Sequence, residues 1–363
     1  MVGSFIIYFW GALLSSLTFD HTRKTKRKYK RVTFFFVAIG IPVLIAGVRY
    51  ATGTDFFAYI NGFERIKLGY DVRWADLEFG FVWLNHLLVN IGLNAQSIMF
   101  ASSLVMMIFI SKALYRKRET GIIGYGFLAF MLIFYQSSFN VIRLMIATSI
   151  FLYNIHNIEK RQFLRYFMLT VFASSFHITA IITLPLYWLF NVIKIERSWL
   201  RRGAVYFTVG VVIVFFSSIL EYTISILNLD AMNYYAKYSS GEGRSISVAL
   251  KILVMYIPLT IPGLIYYKKL KGQDKSFPMY YSLVVIGIIV KVLATMQTTY
   301  VDRVAEYLLI ASVMLIPTYM KLFSRDKNYL FYLGTIAYLF MYWIYNYFIV
   351  LNHGTVPYQW IFK

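Results

Sequence analysis

The 363-residue chain contains no cysteine, which removes disulfides, thiol nucleophiles and sulfur-ligated metal sites together. Any chemistry it performs uses oxygen and nitrogen groups. Charge is scarce as well. Asp, Glu, Lys and Arg make up 14% of the residues against 59% hydrophobic, a balance that no ordinary soluble domain of this size carries. A phosphate-cradling glycine loop with lysine, an HExxH zinc helix and a GxSxG elbow are all missing, so nucleotide hydrolysis and zinc or serine hydrolysis have no motif behind them. There is no convincing internal repeat and no low-complexity linker. The first segment, Met1 to about Phe19, lacks a positively charged start and a small-residue cleavage signal, and predicts a retained span.

What is present is a series of apolar runs long enough to cross roughly 30 Å of hydrocarbon. They predict an all-α polytopic membrane protein, a single integral membrane domain over 1–363, with about twelve spans near 1–19, 32–48, 97–115, 121–137, 140–158, 163–176, 178–193, 203–222, 247–267, 278–295, 304–320 and 329–350. The formal charge of +20 does not point to nucleic acid, because 25 of the 36 basic residues fall in six short loops between apolar runs: 20–31, 112–119, 159–165, 194–202, 268–275 and 321–327. Short basic loops face the cytoplasm. Both termini and two longer segments, 49–96 and the Tyr-rich 223–246, are then external.

This topology holds only if the apolar stretch Glu78–Leu93 does not change sides. It is short and carries Asn85, His86 and Asn90 among its aromatics. An interfacial or re-entrant helix fits, and a short span is the alternative. The segment Phe163 to Ile193 is too long for one upright helix and too short for two full ones. It predicts a tight helical hairpin with Ser174, Ser175, Phe176 and His177 at its outward tip.

Once the inside loops are set aside, the remaining polar residues gather near the external face, where a charge beside lipid asks for a reason. Arg49 and Asp55 flank Gly53, which allows a tight turn folding the carboxylate back toward the guanidinium. That pair closes a loop structurally or orients an anion-binding arginine. Asn140 and Arg143 lie three positions apart and share a helix face. The arginine either snorkels to the headgroups or lines a cavity. His177 is a satisfied structural histidine or, as a neutral imidazole, an acceptor for a hydroxyl proton. Arg303 and Tyr307 stack four apart at the start of a span that Asp302 opens, which is a plain helix start or a binding face. Lys291 adds positive charge to the outer half unless it snorkels. Tyr234 and Tyr235, in the second external loop, offer flat faces with hydroxyl edges that suit sugar rings, although tyrosine belts are common at membrane interfaces.

Taken in order, Arg49-x-x-x-Gly53-x-Asp55-x-x-x-Tyr59, Glu78-x-Gly80, Asn140-x-x-Arg143, Ala173-x-x-Phe176-His177 running into Leu184-Pro185, and Arg303-x-x-x-Tyr307 resemble the EpsG family of Wzy-like exopolysaccharide and capsule polymerases. The likeness covers about residues 40 to 310. Leu144 departs from it, standing where many relatives carry glutamine, which removes an amide contact and leaves the arginine.

The resemblance implies a fold similar to the multi-spanning GT-C glycosyltransferases, with an interfacial helix in the first external loop. It implies a hexosyltransferase of the bacterial cytoplasmic membrane, its site facing outward and its substrate an undecaprenyl-diphosphate-linked oligosaccharide. Partners would be the lipid bilayer and other polysaccharide-assembly proteins, with no nucleic acid. The expected roles are a diphosphate clamp of Arg49, Arg143 and Arg303, with Asn140, Lys291, Tyr307, Tyr234 and Tyr235 as further substrate contacts. His177 is the expected base, with Asp55 and Glu78 as alternatives. Because the donor is already activated, the reading requires no nucleotide cofactor and no obligatory metal. A lipid-linked oligosaccharide flippase and a membrane acyltransferase using His177 are the competing readings.

Overall fold

Lipid offers a peptide group no hydrogen-bond partner, so a chain of this composition satisfies its backbone inside helices. The computed structural model describes residues 1–70, 78–192, 199–226, 246–294, 299–324 and 328–362. Among them the regular structure is helical, apart from one isolated antiparallel bridge between Arg49 and Trp360.

Helices α1 (Val2–Lys24) and α2 (Lys28–Gly47) pack against each other. After them come two short helices, α3 (Phe56–Lys67) and α4 (Phe79–Asn90), then α5 (Ser97–Tyr115), α6 (Ile123–Ile133) and α7 (Ile142–Glu159). A hairpin follows, made of α8 (Phe163–Ser174), a 3-10 segment Ile178–Thr183 and α9 (Leu186–Val192). The second half holds α10 (Trp199–Ile226), α11 (Ile246–Tyr256), α12 (Ile261–Ile265), α13 (Tyr267–Gln273), α14 (Phe277–Ala294), α15 (Thr299–Leu309), α16 (Ser312–Phe323) and α17 (Tyr329–Ile344). α6, α7 and α16 are buried along almost their whole length and form the centre. Large apolar side chains such as Phe36, Leu44, Leu330 and Met341 are exposed around them, as lipid-facing surface requires.

Five stretches among the described residues are long and apolar enough to cross a membrane: Val2–Lys24, Lys28–Gly47, Ser97–Tyr115, Phe277–Ala294 and Asp302–Phe323. The protein is therefore polytopic, while several expected spans are broken. The run expected at 247–267 is divided into α11, a 3-10 turn at Ile257–Leu259, α12 and α13. Pro258 and Pro262 lie at those breaks, where a missing N–H and the ring's bulk interrupt helical bonding. α4 has 12 residues, about 18 Å of helix, well short of the ~30 Å core. The 163–193 segment breaks where expected, with His177 in extended backbone between α8 and the 3-10 segment.

Two polar networks mark opposite ends of the bundle. At one, Lys117 donates to Asp274 at 2.6 Å, and the Thr318 hydroxyl donates to the same carboxylate at 3.1 Å. Lys117 belongs to the basic loop 112–119. It is buried, and Asp274 compensates its charge where water is excluded. At the other end, the segment after α17 returns as a strap that no apolar run or periodicity announces. Tyr50 N–H donates to the Gln359 carbonyl at 2.9 Å, Ile361 N–H to Val48 at 3.0 Å, and Gly53 N–H to Gly354 at 2.9 Å. The Tyr8 hydroxyl reaches the Thr355 carbonyl from α1 at 2.9 Å.

Candidate functional site

The strap holds the loop after α2 against the turn that precedes α7. Asn140 Nδ2 donates to the His353 carbonyl at 2.8 Å, and the Tyr59 hydroxyl of α3 donates to the Asn140 carbonyl at 2.7 Å. Gly53 has a φ of +94°, and a Cβ there would sit 2.5 Å from Asn140 Oδ1. Only glycine meets both conditions without strain. The motif glycine is thus set by the approach of the loop after α2 to Asn140.

Glu78 precedes α4, and its carboxylate forms an ion pair with Arg143, in the first turn of α7. Glu78 is 2% exposed. The close approach of α4 to the hairpin places it: Gly80 N–H donates to the Ser175 carbonyl at 2.7 Å, and a Cβ at Gly80 would lie 3.0 Å from that oxygen and against the Ser175 hydroxyl. The Tyr59 hydroxyl also lies within hydrogen-bonding reach of Arg143. Glu78, Gly80, Tyr59, Asn140 and Arg143 therefore form one connected group.

His177 joins this group from the hairpin turn. Its Nδ1 lies 2.7 Å from the Thr179 hydroxyl, which is 3.3 Å from the Tyr307 hydroxyl of α15. Burial, with Arg303 and Arg143 nearby, holds the imidazole well below its ordinary pKa; a charged ring would lose hydration and meet two like charges. His177 is thus neutral at physiological pH. Asn140, Arg143, Glu78, His177, Arg303 and Tyr307 fall into one neighbourhood although they come from distant parts of the chain.

A second face of α15 carries a different arrangement. Asp302 and Glu306 both bind Lys291 of α14, at 2.9 and 2.7 Å. Lys291 was expected to add positive charge to the outer half or to snorkel. It is instead neutralised by two carboxylates one helical turn apart, a pairing that offsets the loss of its hydration. Nearby, His353 of the strap is depressed below its usual pKa by burial, against the pull of Glu306. Glu306 falls on one of the unspecified positions of the Arg303-x-x-x-Tyr307 motif, and its spacing of four from Asp302 was the available signal. His353 lies beyond the last apolar run, and no periodicity marks it.

Arg49 departs from the expected clamp. Its side chain is 1% exposed and points into the protein, with Nη2 2.9 Å from the Phe139 carbonyl and the guanidinium 4.2 Å from the centre of the Phe139 ring. It does not pair with Asp55, whose carboxylate accepts from the Thr54 hydroxyl at 3.0 Å. The Gly53 turn closes instead onto Asn140 and the strap, leaving Arg49 beneath the Phe139–Asn140 turn. Tyr234 and Tyr235, with residues 227–245 of their loop, lie outside the described residues. Among the described residues, no three His, Asp or Glu side chains gather as a metal-binding set.

No curated protein and no solved structure matches the chain. The EpsG family does match, over residues 32–360, a stretch that contains the Glu78–Arg143 pair, the His177 hairpin, the Arg303–Tyr307 face and most of the strap. This multi-pass membrane protein belongs to the EpsG family.

Proposed function

We propose that the protein is an exopolysaccharide polymerase that joins undecaprenyl-diphosphate-linked oligosaccharide units at the outer face of the bacterial cytoplasmic membrane. The observation that supports this most is the position of His177: a buried, neutral imidazole held by Thr179 and Tyr307, with Arg143 and Arg303 close enough to act on its charge. A proton acceptor beside two cations suits attack by a hydroxyl and departure of an anion.

In this reading a sugar hydroxyl of one lipid-linked unit attacks the anomeric carbon of another. The new C–O bond forms as the bond to the diphosphate oxygen breaks, and the electron pair leaves with the diphosphate. With the Thr179 hydroxyl donating to Tyr307, its lone pair takes the Nδ1–H of His177, and Nε2 is left to accept the hydroxyl proton. Arg143 and Arg303 stabilise the departing charge, aided by the first-turn N–H groups of α7. Direct displacement inverts the anomeric centre. Asp55 and Glu78 are the second choices for the base. Glu78, already committed to Arg143, fits the role of orienting that guanidinium. The GT-C-type architecture belongs to the same proposal.

Arg49 has a different part here. It supports the Phe139 carbonyl from below and so fixes the turn that presents Asn140 and Arg143. The test is to supply purified full-length protein with a defined undecaprenyl-diphosphate-linked repeat. A ladder of lengthened products is expected. Protein that carries the repeat across vesicles and never lengthens it, or that labels the glycan with an acyl group, would overturn the assignment.

A further inference from the structure

A cleft of about 560 Å³ opens at the end of the bundle where α5, α7 and α8 meet the loops rich in Lys and Arg. Its polar end is lined by Arg116, His156, Asn157, Lys160 and Arg165, and its other wall by Met168, Leu169 and Phe172. The cleft contributes nothing to the site built around His177. The polar end is a formed structure. Arg116 donates to the Tyr153 carbonyl at 2.7 Å and stacks 3.9 Å from the Tyr153 ring centre, which leaves further guanidinium donors. The α7–α8 turn is closed by Gln162 N–H on the Asn157 carbonyl at 2.9 Å, and Asn154 ties α7 to Tyr166 and Thr170 of α8 at 2.9 and 3.2 Å.

The order of residues along α8 identifies the chemistry. Arg165, Met168, Leu169 and Phe172 repeat at helical spacing and share one face. At 1.5 Å per residue, Phe172 lies about 10 Å deeper than Arg165. Met168 is 60% and Phe172 44% exposed, so this wall faces lipid. Cationic groups at headgroup depth that give way to an apolar strip running toward the bilayer centre match a phosphate with an acyl chain beneath it. A soluble anion has no use for the strip.

We propose that this cleft binds an anionic glycerophospholipid of the cytoplasmic leaflet, its phosphate against Arg116, Lys160 and Arg165 and an acyl chain along Met168, Leu169 and Phe172. Basic pockets between membrane helices on the cytoplasmic side take anionic headgroups in this way. The general excess of positive charge in inside loops is the competing explanation, and it predicts no preference among those loops.

The test uses the detergent-purified full-length protein titrated with phosphatidylglycerol, bound lipid being counted by native mass spectrometry. Lys160→Gln with Arg165→Gln removes two exposed cations of the cleft. Lys26→Gln with Lys28→Gln removes the same charge from exposed positions in another basic loop. The first pair is expected to weaken phosphatidylglycerol binding on the order of 30-fold and the second to leave it nearly unchanged. Phosphatidylcholine should not replace the lipid, and millimolar inorganic phosphate should not displace it. Equal losses in the two double variants, or displacement by inorganic phosphate, would overturn the proposal.

Discussion

Glu78 and Arg143 form an ion pair across 65 positions of sequence, and through it the segment between α2 and α5 is joined to the first turn of α7, one of the central buried helices. The pair is one-sided in its exposure: the Glu78 side chain is nearly sealed, while Arg143 keeps an opening. A carboxylate that orients a partly open arginine is an arrangement for holding an anion without letting the cation wander.

Arg143→Ala should abolish long polymer while single lipid-linked units persist. Because it strands a buried carboxylate, it should also cost about 3–5 kcal/mol of stability. Glu78→Gln combined with Arg143→Gln removes both charges and separates the two effects. The double variant should recover most of the thermal stability in detergent and none of the polymerase activity. Normal chain length in the folded double variant would remove Arg143 from the clamp.

His177→Ala should slow turnover by about 10²- to 10⁴-fold, the usual worth of a positioned base, with a smaller change in apparent substrate affinity. Steady-state kinetics on a defined lipid-linked repeat measure both. A wild-type rate would move the search for the base to Asp55 or Glu78.

The depressed pKa values of His177 and His353 make a statement about pH. Each takes up a proton less readily in the folded protein than in the unfolded chain, where it does so near the ordinary value of 6.5. Unfolding therefore absorbs protons below that pH, and the stability these groups contribute is full above it and declines as pH falls through it. Thermal unfolding between pH 7.5 and 5 should show the decline, and His177→Gln should flatten it. An equal slope in that variant would mean that other groups set the acid limit.

Gly53→Ala should destabilise the protein by about 1–3 kcal/mol, since a methyl group must displace Asn140 from a backbone already at positive φ. Gly80→Val should separate α4 from the hairpin and lower polymerase activity together with stability. Thermal melts paired with the polymerisation assay check both. Unchanged melting of Gly53→Ala would show that the loop yields more easily than its contacts indicate.

Lys291→Met should destabilise the fold by leaving Asp302 and Glu306 facing one another without a counter-ion. Adding Glu306→Gln should restore much of the loss and keep polymer synthesis, because the lysine serves the two acids. If the restored protein folds and makes no polymer, Lys291 touches substrate after all.

The class of the protein was legible in its sequence because lipid imposes a simple rule. Long apolar runs must be helices, and Lys and Arg between them must stay on one side. Arg143, His177, Arg303 and Tyr307 also stood out, since a polar group at the end of such a run needs a purpose. Pairings were not. Arg49 and Asp55 read as partners from their spacing, yet the turn at Gly53 closes on Asn140 and sends the guanidinium inward to Phe139. Lys291 read as added positive charge or a snorkelling side chain because the two acids that neutralise it sit on another helix.

Composition and the order of charged loops determined by themselves that the chain lives in a bilayer, and five spaced motifs determined its family. Tertiary structure alone decided which charges stay available. It buried Arg49, tied Lys291 to Asp302 and Glu306, brought His353 in on a strap and left Arg143 partly open. The physical reason is that burial within lipid is fixed by chain periodicity, whereas the fate of a single charge depends on whichever partner the packing of distant helices brings within about 3 Å.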